Sequence, residues 1–164
     1  MNIRNFLYLF VSLILVWLAL TASLDFEELT AGIFISLVLS FFLTKTYIGL
    51  GLPPLSIKRV MFFLIYIFIV LGEIVKANFD VAYRVLHPKM PIRPGIVLIK
   101  TRLKQNLAKM ILANSITLTP GTFTLDILGD NLLIHWINVR TENVEEATKI
   151  IAGRFEKYLR VIFE

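Results

Sequence analysis

The feature that most restricts this chain is its succession of long apolar runs. Residues 6–22, FLYLFVSLILVWLALTA, are almost uninterrupted in apolar character, close to the ~17 to 25 residues with which a helix crosses a bilayer. A cleavable leader is the competing reading, but the run exceeds the ~7 to 15 apolar residues usual in one and another run follows soon after. A retained helix is therefore expected. The second run, residues 29–50, places Gly32, Ser36 and Ser40 four apart on one face, a spacing that lets helices approach closely in lipid. Pro53 and Pro54 then break the chain within 49–56, because each lacks an N–H and has a fixed φ. A third run, residues 57–83, is apolar at first and turns polar after Gly72. The 57% hydrophobic and 18% charged composition agrees, since roughly a quarter of an ordinary soluble domain is charged.

Charge bears on topology rather than on nucleic acid. The 17 Lys and Arg exceed the 12 Asp and Glu, yet they are scattered through apolar sequence and form no dense patch interleaved with aromatics. Cysteine is absent, which excludes disulfides, thiolate metal sites and a cysteine nucleophile. Lys45, Lys58 and Arg59 mark the second connector as cytoplasmic under the positive-inside rule, and the acidic connector at 25–28 reads as external. Three full crossings then put the C-terminal half outside. The basic series Lys76, Arg84, Lys89, Arg93, Lys100, Arg102 and Lys104 says the opposite, and a cytoplasmic C-terminal half is the expectation, with the first two helices open to reading as a hairpin that does not cross fully.

After the proline-rich segment HPKMPIRPG at 87–95, IVLIKT reads as a strand and residues 102–114 as a helix with Leu103, Leu107 and Ile111 on one side. Residues 116–127 and 132–139 alternate with period two around LGDN, which predicts a hairpin. Val144, Ala147, Ile151, Phe155, Tyr158 and Ile162 recur at three and four residues, with Thr141 or Asn143 as N-cap. The expected fold is thus a membrane α-helical region of three hydrophobic helices, residues 1–83, followed by a small cytoplasmic α+β domain of βαββα order, residues 84–164.

Chemistry is sparse. Within SITLTPGTFTLDI, Pro120 and Gly121 suit the second and third positions of a type II turn, where glycine supplies a positive φ. Thr117 and Thr119 before it, and Thr122 and Thr124 after it, fill the strand face opposite the apolar residues. A phosphate-binding loop needs several adjacent glycines and a lysine at a helix start, so a structural strand and turn is favoured. His135 alternates with Leu133, Ile137 and Val139 and is expected on a half-buried strand face as a structural histidine. Trp136, on the other face, reads as packing or a membrane-surface anchor. His87 is far from His135 and neither has a zinc-site neighbour. No catalytic residue, metal or cofactor is expected. Glu73, Lys76, Asp80 and Arg84 are spaced three, four and four, which lines them along one helical stripe. If that stripe is in the membrane, it faces other protein or a water-filled path, making Glu73, Lys76 and Asp80 candidates for a subunit contact or an ion path. At the interface it is an ordinary solvated helix end.

The block ITLTPGTFTLDI, the following LLIHWINV, and the upstream EIVKANFDVAYRVLHPKMPIRPGIVLIKT together resemble the E subunit of multisubunit Mrp-type cation/proton antiporters. That family is similar also to the antiporter module of membrane-bound hydrogenase and related respiratory complexes. The resemblance covers nearly the whole chain. It implies a small non-catalytic membrane subunit of a Na+/H+ antiporter assembly, partnered by other hydrophobic subunits and the lipid bilayer, with a cytoplasmic C-terminal domain and no nucleic acid. It supplies no catalytic residue. The alternative is a self-contained membrane-anchored binding or regulatory domain.

Overall fold

The computed structural model describes residues 3–49 and 56–164, and the chain divides into two compact units, Met1–Leu55 and Ser56–Glu164. Most of the proline-containing break expected at 49–56 lies outside the described residues.

The first unit is a pair of helices, α1 (Ile3–Thr21) and α2 (Phe26–Gly49). Trp17 on α1 donates its indole N–H to the Glu28 carbonyl at 3.0 Å, and its ring lies so close to Gly32 that a Cβ there would overlap it. The small residue is therefore required by the approach of the two helices. Ser36, Ser40 and Thr44 continue that side of α2 and are buried. The Ser40 and Thr44 hydroxyls donate back to the carbonyls four residues earlier, so their polarity is satisfied inside α2 itself. Two helices, over Phe26–Thr46 and Ile57–Leu86, are long and apolar enough to cross a bilayer, and the apolar stretch of α1, Asn5–Thr21, is shorter.

The second unit begins with the 30-residue α3 (Ile57–Leu86), whose N-cap Ser56 accepts from the Arg59 N–H. Then follow β1 (Gly95–Lys100), α4 (Asn106–Leu118), β2 (Thr122–Leu128), β3 (Asn131–Trp136), α5 (Val144–Ile151) and α6 (Gly153–Phe163). The sheet is antiparallel with order β1-β3-β2. Val97, Ile99, Leu132, Ile134 and Trp136 face the helices and are buried with Ala108, Leu112, Ile116, Ala147, Phe155 and Leu159. The other sheet face, with Ile96, Leu98 and Phe123, is exposed. The β2–β3 turn at Gly129 and Asp130 is held from α4, where the Lys109 ammonium donates to the Gly129 carbonyl at 2.9 Å and to the Asp130 carboxylate at 2.8 Å.

Two expectations change. The helix read at 102–114 runs from Asn106 to Leu118, so Ile116, Thr117 and Leu118 are helical rather than strand. Ala108, Leu112 and Ile116, four apart, are all fully buried, and this stripe outweighs the local alternation of threonine with apolar residues. The final helix divides at Ala152 into α5 and α6, giving βαββαα; α5 lies on β1, where Thr148 accepts from the Lys100 N–H at 2.9 Å, and α6 packs on α3. Two partners in different directions require the bend, and Gly153 at the junction is a weak helix former. By packing, α3 belongs to the unit that carries the sheet. Tyr66 is buried, its ring edge-on to Phe155 and its hydroxyl hydrogen-bonded to Ser115.

Candidate functional site

The charged stripe of α3 and the Pro-Gly turn, read separately in the sequence, form opposite walls of one cleft of about 170 Å³. Glu73, Lys76, Asp80 and Arg84 line one wall; Thr119, Pro120, Gly121 and Thr122 line the other, with Arg140 and Arg154 at the sides.

The turn wall follows from how α4 ends. A helix leaves its last four carbonyls without intrahelical partners, and here threonine hydroxyls serve two of them, those of Ser115 and Ile116. Thr119 donates to the Ser115 carbonyl at 2.8 Å, and the Thr122 hydroxyl lies 2.7 Å from the Ile116 carbonyl and 2.9 Å from that of Thr119. Thr117 accepts from the Thr124 N–H at 3.1 Å, tying the last turn of α4 to β2. The Thr122 N–H returns to the Thr119 carbonyl at 3.2 Å, closing a turn with Pro120 and Gly121 in the middle. Gly121 has φ +92°, the conformation expected of the third position in a type II turn. A side chain there would also meet Ile137, whose Cγ2 is 2.8 Å from an ideal Cβ. The block thus joins a helix to a strand, whereas the sequence suggested a bend within one strand.

On the α3 wall each carboxylate is held by a guanidinium. Arg84 donates to both Asp80 oxygens, at 2.8 and 3.0 Å, and to the Pro91 carbonyl at 2.7 Å. Glu73 pairs with Arg154 of α6. Lys76 and Arg140 make no ion pair among the described residues, which leaves the open part of the cleft cationic. His135 is not part of this site. It is exposed on the outer sheet face between Ile96 and Phe123 of the neighbouring strands, while Leu133 and Ile137, two residues to either side of it, are half-buried. Trp136 is buried and is among the residues lining the cleft.

Arg154 and Arg140 escaped the sequence reading. For Arg154 a signal was present: it lies three residues after Ile151 and four before Tyr158, so it is a cation on the apolar stripe of its helix. Arg140 follows the last strand and carries no such sign.

A family model described as Na+/H+ ion antiporter subunit (MNHE) matches residues 10–162. The chain belongs to this family. It is 30% identical over 164 residues to the E1 subunit of the Na+/H+ antiporter of Staphylococcus epidermidis, an alignment spanning 100% of this chain and 99% of that one. Against the E subunit of the Na+/H+ antiporter of Alkalihalophilus pseudofirmus it is 36% identical over 126 residues, 77% and 75% of the two chains. A chain in the structure of the membrane-bound sulfane sulfur reductase, an archaeal respiratory membrane complex, is similar with TM-score 0.84 and 53% identity, covering 98% of this chain and 99% of that one. These relationships make it a membrane subunit of a multisubunit cation/proton antiporter module.

Proposed function

We propose that the chain is a non-catalytic assembly subunit of a Na+/H+ antiporter module, multi-pass in the cell membrane, with residues 84–164 in the cytoplasm. The observation that carries this reading is the pairing in the cleft: Glu73 with Arg154 and Asp80 with Arg84. A carboxylate engaged by a guanidinium of its own chain is an internal staple, whereas a proton carrier has to be free to gain and lose its proton. Lys76, beside Arg140, is then the member of the stripe available to a partner subunit. The partners proposed are other hydrophobic subunits in the bilayer, since the relatives are named as antiporter subunits and the similar solved chain belongs to a respiratory membrane complex. No enzymatic role is assigned to the chain. The finer fold reading, three membrane-associated helices followed by a cytoplasmic α+β part, rests on the helix lengths and on the basic series from Lys76 to Lys104.

Affinity purification from mild detergent tests this. Several hydrophobic subunits are expected in stoichiometric amount with the native chain, and fewer with the Lys76→Glu, Arg140→Glu double variant at equal abundance. A monodisperse lone chain overturns the reading.

A further inference from the structure

We infer that α3 does not cross the bilayer but lies along its cytoplasmic boundary, with its outer stripe in the acyl region and its inner side carrying the α/β part of the unit. The inference takes from the proposed function only that the protein is in a membrane and that this part is cytoplasmic.

The inner side of α3 is covered along most of its length. Phe62 packs near Tyr158 with ring centroids 6.3 Å apart, Tyr66 on Phe155 and Glu73 on Arg154, and Val81 lies 3.5 Å from where a Cβ on Gly121 would stand. From residue 62 to 81 is about 28 Å of helix axis at ~1.5 Å per residue, nearly the whole ~30 Å of hydrocarbon in a bilayer. If α3 crossed, the α/β part would have to cross beside it. Lys157 and Arg160 of α6, both exposed, flank Tyr158 next to the most apolar turns of α3, and charges on a lipid-facing surface at that depth are strongly disfavoured. The two sheet edges, β1 and β2, would also bring unpaired backbone groups into lipid, which tolerates none.

The outer side has the complementary character. Leu64, Phe68, Leu71, Val75, Phe79 and Leu86 fall on one stripe opposite the covered side, and each is more than half exposed. The stripe stays apolar past Gly72, where the inner side becomes charged. Between Arg59 and Gly72 the helix is apolar on every side, with Met61, Phe63 and Ile65 exposed as well as the stripe; after Gly72 it divides by face, which is the pattern of a helix lying in the interface with its apolar side ~5 to 10 Å deep. The placement also removes the charge conflict of the sequence. If α1, whose apolar stretch is Asn5–Thr21, crosses together with α2, the connector bearing Lys45, Lys58 and Arg59 and the whole basic C-terminal half fall on the same side.

The test uses the full chain, which has no cysteine, in the membranes where it assembles. Lys58→Cys and Lys89→Cys place single thiols at the two ends of α3. Both are expected to resist a membrane-impermeant maleimide in intact cells and to react after lysis. Reaction of one in intact cells and of the other only after lysis overturns the inference. Reaction of both in intact cells upholds the flat helix and sinks the cytoplasmic assignment, so the two readings fail separately. Spin labels at Leu64, Phe68, Leu71, Val75 and Phe79 give the second measurement. A uniform shallow depth with access to lipid-dissolved oxygen is expected. A depth that passes through the bilayer centre overturns the inference, as does exclusion of oxygen from the whole stripe, which would mean that a partner protein covers it.

Discussion

Arg154 reaches from the first turn of α6 to the carboxylate of Glu73 on α3, joining residues 81 apart in sequence. The side chain of Arg154 is about half exposed and that of Glu73 about a quarter exposed, so solvent screens the pair and its contribution is that of a surface bridge, within ~1 kcal/mol. Glu73→Gln should therefore lower the thermal midpoint of the purified protein only slightly and leave it in the membrane. The exchanged pair, Glu73→Arg with Arg154→Glu, should recover part of the loss. Intact assembly with abolished ion exchange in Glu73→Gln would place Glu73 in an ion path and refute its role as a staple.

Gly121→Val should be far more damaging. A β-branched residue at φ +92° is strained by ~1 to 3 kcal/mol, and its Cβ also meets Ile137. Abundance in the membrane should fall before any selective transport defect is seen. Normal abundance with lost transport would favour a ligand site at the turn.

Thr122→Val keeps the shape and removes the hydroxyl that reaches the Ile116 carbonyl. The loss should be ~1 kcal/mol, the usual net value of one such bond. Comparison of denaturant midpoints for Thr122→Ser and Thr122→Val checks it, since serine retains the hydroxyl and should be the milder change.

Acid should weaken the hairpin clamp. Lys109, by hydrogen bond and by charge, holds the Asp130 carboxyl below its ordinary range. A lowered folded-state value means that the contribution is fully present above the ordinary aspartate pKa of ~3.9 and is lost as pH falls through the lowered one. Asp130→Asn should thus lower stability near neutrality, where the clamp is fully present, and flatten the acid limb below about pH 4, where the two proteins converge. An unchanged acid limb would show that the clamp is not electrostatic.

The charged stripe of α3 was legible because helical spacing alone sets it: residues three and four apart share a side whatever the helix packs against. The turn was legible for the same kind of reason, since Pro-Gly restricts φ locally. The antiparallel hairpin at Gly129 and Asp130 and the N-cap Asn143, which accepts from the Glu145 and Glu146 N–H groups, were equally local. The end of α4 was not. Threonine alternating with apolar residues fits a strand as well as a capped helix end, and burial of Ile116 against the sheet decided between them.

Apolar character, helical stripes and turn chemistry depend on neighbours within a few residues, and the amino-acid sequence by itself determined those. The meeting of Glu73 with Arg154, the bend at Ala152 and the cover along the inner side of α3 depend on groups up to 81 residues apart. Only the tertiary structure decided them, because no local pattern says which of two amphipathic helices will present its stripe to the other.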